Sequence, residues 1–255
     1  MLEIAPNLTD QIYDALVEEI CAGRLAAGTH LVQEKLAARF GVSRQPIQQV
    51  MSRLKADGMV EELGRRGLFV APLDPERMRQ HYGIRAALDG WAAKQAAART
   101  FADPALAASL RAKGAMQQEA AEQAAAAGNS VALMRQDDAF HFMLYAAAGN
   151  PMLASTAEPH WRFLRRAMVD VLRQAERPET IWSQHGAILE AVLAGDGAAA
   201  ERLAVDHVQN ACELLASALE KARTEGTPHD TNAEYRPDAL GSGTPAAGTD
   251  RRSRS

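Results

Sequence analysis

The chain has 255 residues, a formal net charge of −4 and two cysteines, Cys21 and Cys212, that belong to no CxxC or Cys-rich pattern. Its content of 47% apolar and 24% charged residues is that of a globular protein, and no apolar run approaches the ~18 residues a bilayer span requires. A disulfide framework, a membrane span and indiscriminate nucleic-acid binding are thereby excluded, and an Ala-rich chain with 5% aromatics reads as a mostly helical cytoplasmic protein.

The first expected element is a helix from Leu8 to Gly23, where Ile12, Leu16, Val17 and Ile20 recur at helical spacing with acids outside them. A short second helix, Glu34 to Phe40, is stopped by Gly41. A third, Arg44 to Leu54, turns Ile47, Val50, Met51 and Leu54 one way, with Ser43 as the expected N-cap and Pro46 inside the first turn. Val60 to Val70 has strand character punctuated by Gly64 and Gly67, a hairpin bearing Arg65 and Arg66. Helix, Gly-containing turn and helix is the helix-turn-helix arrangement, whose second helix points its N-terminus into the major groove, with the hairpin as a basic wing. From Gln33 to Val70 there are seven basic and four acidic residues, a local charge of +3 in a negative chain. The candidate DNA contacts are Ser43, Arg44, Gln45, Gln48, Gln49 and Arg53 on the third helix, with Arg65 and Arg66 on the wing. Arg44 suits phosphate or guanine, and glutamine pairs naturally with adenine.

These residues carry a resemblance. Gly23-x-Leu25-x-x-Gly28-x-x-Leu31, Leu36-Ala37-x-x-Phe40-Gly41-Val42-Ser43-Arg44-x-Pro46 and Leu54-x-x-x-Gly58-x-Val60, followed by Gly67-x-Phe69-Val70, resemble the winged helix-turn-helix of the GntR family of bacterial transcriptional regulators over about residues 8–72. Gln48 and Gln49 stand where the family commonly has Arg and Glu, so its usual operator does not carry over.

A boundary falls near Leu73-Asp74-Pro75, and from there the pattern is helix on helix. Asp74 before Pro75, and Asp103 before Pro104, are start signals. The expected helices are about 75–100, 104–127, 130–148, 151–175, 179–194 and 198–223, with a kink or break at Pro159. The division is 1–73, a DNA-binding domain; 74–223, a helical bundle; and 224–255, a Gly-, Pro-, Thr- and Ser-rich tail read as disordered. The fold class is mainly α, a winged helix-turn-helix followed by an all-α bundle.

In the bundle, Asp137 and His141 stand four apart on one helix face, close enough for a carboxylate and an imidazole to meet one cation. His185 and His207 lie on later helices. Three imidazoles and a carboxylate suit Zn, Ni, Co, Fe or Mn, although spacing alone favours the plainer reading of scattered core or surface histidines. Here a second resemblance enters. Asp137-x-x-Phe140-His141 with Gly149-Asn150-Pro151, then His185-x-x-Ile188-Leu189-x-Ala191-Val192 with Gly195-Asp196, then His207, resembles the FCD effector-binding domain of the FadR subfamily over about residues 75–223. The resemblance implies a metal held by Asp137, His141, His185 and His207, with Asp138 out of register. Arg85-x-x-Leu88-Asp89 resembles a segment whose Arg often faces the effector, which implies Arg85 as a grip for a small carboxylate; the alternative is a solvated Arg or one paired with Asp89. His81 and Tyr82 are weaker candidates for the same cavity, His30, His160 and His229 match no ligand register, and Trp91, Trp161 and Trp182 read as packing residues.

The resulting expectation is a homodimeric, ligand-responsive regulator, a repressor before an activator, that binds double-stranded operator DNA, a divalent transition metal and a small carboxylate metabolite. The rival is a hydrolase in which the same Asp and His residues hold a water-activating metal, but no separate base or nucleophile constellation accompanies them.

Overall fold

Ile12, Leu16 and Ile20 stand four residues apart, and all three are buried along one side of α1 (Leu8–Cys21) in the computed structural model, which describes residues 8–174 and 178–224. The same periodicity buries Ile47, Val50, Met51 and Leu54 on α3 (Arg44–Ala56), facing α1. Between them α2 (Gln33–Phe40) ends at Gly41, whose φ of 65° is the left-handed conformation that closes a helix. Ser43 occupies the N-cap of α3 with extended backbone, but its hydroxyl makes no capping hydrogen bond, contrary to the sequence expectation.

The wing is β1 (Val60–Glu62) and β2 (Leu68–Val70), antiparallel with Val60 opposite Val70, joined by a 3-10 turn over Gly64–Arg66. A third extended segment, absent from the sequence reading, flanks β2: the Leu31 N–H donates to Leu68 O at 2.8 Å and the Val70 N–H to Thr29 O at 2.9 Å. It is too short to show alternation, so it left no periodic signal.

Six helices follow: α4 (Pro75–Ala102), α5 (Pro104–Ala126), α6 (Ser130–Ala147), α7 (Met152–Gln174), α8 (Pro178–Leu193) and α9 (Gly197–Thr224). Their starts are fixed by side chains. Asp74 accepts from the Glu76 N–H, Asp103 from those of Ala105 and Leu106, and Asn129 from that of Ala132. Of the kink or break expected at Pro159, the break does not occur: α7 runs through it. A mid-helix proline costs about 3 kcal/mol; the full burial of Trp161 and Leu164 just beyond it offsets that. Small residues on α4 (Ala92, Ala93, Ala96 and Ala97, all 0% exposed) let neighbouring helices approach closely. One core of residues from 12 to 70 is thus distinct from the cores of the helical bundle. Trp91, expected in packing, is 41% exposed. Of the tail expected over 224–255, Thr224 is the last residue of α9, and the rest, His229 included, lies outside the described residues.

Gly67 has a φ of 107°, and a Cβ there would lie 2.8 Å from His30 Nε2, whose ring stacks on Phe69. Gly67→Ala should therefore destabilise the wing by about 1–3 kcal/mol, read as a lowered midpoint in denaturant unfolding. An unchanged midpoint would show that the turn relaxes freely.

Candidate functional site

Asp137 and His141 project from adjacent turns of α6, while α8 supplies His185 and α9 supplies His207. The model brings all four together: one ligand atom from each lies within 4.8 Å of the others, and every residue is buried. His185 Nε2 is 3.1 Å from His207 Nε2 and 3.3 Å from Asp137 Oδ1; His141 Nε2 is 3.9 Å from the same oxygen. Asp138 turns away to Arg165 at 2.5 Å, as its register requires.

The outer shell fixes the rings. His207 Nδ1 is 2.8 Å from Gln184 Oε1, so it can donate outward and keep its Nε2 lone pair for the centre, while His141 Nδ1 lies 3.2 Å from Asp89 Oδ2, a charge contact outside hydrogen-bond geometry. Asp89 also receives Arg85 Nε at 3.1 Å and the Tyr145 hydroxyl, and Trp161 Nε1 donates to that hydroxyl at 3.1 Å. Arg85 is 1% exposed, its guanidinium 3.6 Å from the Trp161 ring centroid and one terminal nitrogen 3.9 Å from Asp137 Oδ2. It is thus no solvated arginine, but a buried one paired with Asp89. Tyr82 lies near it, whereas His81 instead meets His160 at 3.0 Å.

Burial pushes the His185 and His207 rings to lower pKa than a free imidazole, His207 further because the other two cluster histidines stand beside it. Burial alone would raise Asp137, but the His185 hydrogen bond and the nearby positive groups outweigh it and hold the carboxyl below its usual range. Neutral imidazoles and an ionised carboxylate are the protonation states a metal needs. Asp137 Oδ2 and His141 Nε2 are buried without a hydrogen-bond partner. Lone pairs converging with too few donors fit a cation, and three nitrogens with one oxygen suit Zn, Ni, Co, Fe or Mn.

The opposite end of the molecule presents α3. Ser43, Arg44, Gln45, Gln48 and Gln49 are exposed together, Arg44 making only a surface pair with Glu34 at 3.1 Å. Arg53 departs from this set. It pairs with Asp10 at 2.5 Å, lies over the Tyr13 ring and lines the cleft between the two domains. Arg66 is exposed on the wing; the Arg65 side chain falls outside the described residues.

Residues 8–70 match the model of bacterial regulatory proteins of the gntR family, and residues 80–210 match the FCD domain. The chain belongs to the FCD-domain family and carries a gntR-family domain at its N-terminal end. It is a DNA-binding transcriptional regulator, and that family together with its relatives comprises regulators rather than enzymes, so the hydrolase alternative finds no support. This regulator is 27% identical over 210 residues to the HTH-type transcriptional repressor RspR of Escherichia coli K12, spanning 82% of this chain and 89% of that one. It is 26% identical over 205 residues, 79% of this chain and 86% of the other, to a probable D-xylose utilization operon transcriptional repressor of Paenarthrobacter nicotinovorans. The solved structure of E. coli McbR/YncC shares the fold, with a TM-score of 0.67 at 20% identity over 84% of this chain and 99% of that one. Among the described residues no helix of the regulator is long and apolar enough to cross a membrane.

Sequence reasoning missed the outer shell. Asp89, Gln184, Tyr145 and Trp161 come from four helices, and only Asp89, one turn from Arg85, left a local signal.

The depressed histidines set a pH dependence. In the unfolded chain their pKa is about 6.5, so on acidification it binds protons that the native state refuses. Their contribution is complete above that value and is lost as pH falls below it. His81, lowered to about 4 by burial beside His160 and Arg77, acts in the same sense. Asp138, raised to about 6 by burial, opposes them only below that pH. Chelator-treated protein should lose thermal stability from about pH 7.5 to about pH 5.5, by up to ~1.4 kcal/mol per unit for each histidine, and His207→Asn should flatten the slope. A flat profile for wild type would contradict it.

Proposed function

We propose that this regulator is a homodimeric repressor whose helical domain holds a divalent transition metal at Asp137, His141, His185 and His207 and answers to a small organic acid. The observation that carries this reading is the convergence of four buried donor atoms within 4.8 Å, two of their imidazoles oriented by outer acceptors. When bound, a cation of this class supplies coordination positions for an oxygen ligand. The chain's own residues do the rest: Asp89 and Gln184 hold the rings, and Arg85 keeps positive charge beside Asp137. Ser43, Arg44, Gln45, Gln48, Gln49 and Arg53 serve operator base edges and phosphates, with Arg65 and Arg66 on the wing. The division between the domains is placed at 73/74. Exposed Ile84 and Trp91, two turns apart on α4, offer a surface for a second copy, as a palindromic operator requires. A repressor acting on operator DNA works in the cytoplasm.

Native mass spectrometry should report a dimer with about one metal per chain, lost in a His185→Ala, His207→Ala double variant that circular dichroism shows to be folded. Stoichiometric metal retained by that variant removes the site. In gel-shift titrations Arg44→Ala should weaken operator binding by about 1–3 kcal/mol across sequences, whereas Gln48→Ala should change which sequence is preferred. Wild-type affinity in Arg44→Ala would displace the recognition helix from α3.

A further inference from the structure

An open groove of about 390 Å³ runs between α5 and α8, within the size range of a small-molecule site. Its apolar side is Phe140, Trp182, Leu189 and Leu193. At its edges are two exposed residues of opposite charge, Arg111 on α5 and Glu190 on α8. Elsewhere on this surface charges pair across helices, as Lys94 does with Glu201 and Arg79 with Glu220. Among the described residues Arg111 and Glu190 make no ion pair, with each other or with any neighbour.

The groove also holds two orphaned polar atoms. Gln117 Oε1 and His185 Nδ1 are both buried without a hydrogen-bond partner. On the outer nitrogens of the other two cluster histidines, His207 Nδ1 meets Gln184 Oε1 and His141 Nδ1 lies 3.2 Å from Asp89 Oδ2 outside hydrogen-bond geometry; among the described residues no such contact is seen for His185 Nδ1. An unmade bond to a buried polar group is expensive, so a ligand that supplies the missing partners is favoured. A plain carboxylate answers Arg111 and leaves Glu190 and Gln117 idle. An amine does the reverse.

We propose that the α5–α8 groove binds a free α-amino acid with an apolar side chain. Its carboxylate faces Arg111, its ammonium donates to Glu190 and Gln117 Oε1, and its side chain lies against Trp182 and Leu189. Gly186 leaves the room: a Cβ there would meet nothing within 4 Å. The proposal rests on the reading of the helical domain as an effector domain, and it names the effector's class. Because the ligand lies on the His185 ring, its binding is linked to the state of the Asp137–His207 cluster.

Calorimetric titration of the full-length chain with L-phenylalanine, L-leucine, L-methionine, 3-phenylpropionate and 2-phenylethylamine tests it. At least one of the three amino acids should bind, and phenylpropionate and phenylethylamine should each bind at least ~10-fold more weakly than phenylalanine, the loss expected for one charge-assisted contact. Arg111→Gln should weaken phenylalanine and phenylpropionate alike, whereas Glu190→Gln should weaken phenylalanine and phenylethylamine and leave phenylpropionate unchanged. Gly186→Leu, which fills the groove without deleting a contact, should abolish binding of all of them. Phenylpropionate binding as tightly as phenylalanine, or phenylalanine binding that survives Gly186→Leu, overturns the proposal. If metal-loaded protein binds none of the three amino acids, the groove site falls while the metal reading stands. If chelator-stripped protein binds phenylalanine with the same Arg111 dependence, the groove stands and the metal has no part in effector binding.

Discussion

Arg85 is a charged group sealed in the middle of a helical bundle, and the surrounding helices are arranged to answer that charge. Enclosing an unpaired guanidinium would cost several kcal/mol, so its partners must be held in place by the fold. Asp89, one turn along α4, takes Nε; the Trp161 ring of α7 covers the guanidinium face; Asp137 of α6 faces a terminal nitrogen. Asp89 is in turn fixed by Tyr145, and Tyr145 by Trp161. The chain of partners closes on itself across α4, α6 and α7. The same Asp89 orients His141, so the polar cluster and the packing of three helices are one structure. Sequence gives two residues four apart on α4 and two four apart on α6; only packing makes them a single network.

The two sides of α7 then face different domains. Trp161 lies inward, its ring 5.1 Å from that of His141. The next residue, Arg162, lies outward at 3.2 Å from Asp57, the residue that ends the recognition helix α3, and reaches the Tyr13 hydroxyl. Burial and the bond to Asp57 push the Tyr13 phenol up to about 12, so it stays a donor at neutral pH. Arg77 of α4 packs over Gly58, where a Cβ would lie 2.3 Å from the guanidinium. The C-terminal end of α3 is therefore gripped by two helices, α4 and α7, that also contribute residues around the buried cluster. Asp138 adds a parallel tie, holding Arg165 one turn beyond Arg162 while its neighbour Asp137 points into the cluster.

How much of this was legible follows from how local each signal is. Helix starts at Asp74 and Asp103 and the stop at Gly41 are side-chain or backbone effects acting within three residues, and they read correctly. The pairing of Asp137 with His141 was likewise a property of one helix. That His185 and His207 join them was implied by family resemblance, because spacing along the chain says nothing about which faces of α6, α8 and α9 meet. Arg53 shows a contact that spacing does not reveal: Asp10, 43 residues away in sequence, pairs with its guanidinium. At Pro159, where local propensity allowed a kink or a break, the helix is not broken, and the burial of Trp161 and Leu164 beyond it favours its continuation.

The junction between the domains is of a different kind from either core. A cleft of about 440 Å³ lies there, lined by Arg53, Arg135, Arg162 and Arg165 and by acids from α1, α6 and α7. Its ties are partly exposed ion pairs such as Arg135 with Glu18 at 3.6 Å, and pairs of that kind contribute roughly 0–1 kcal/mol each. Hydrophobic burial, which fixes the geometry inside each domain, does little across the cleft, because Val17, Val131 and Met134 are the main apolar residues that face it. The winged helix is thus tied to the bundle by ion pairs and a few packed contacts, not by a shared apolar core. Coupling between ligand sites typically amounts to about 1–3 kcal/mol, which is small against the stability of a core and large against a few such ion pairs.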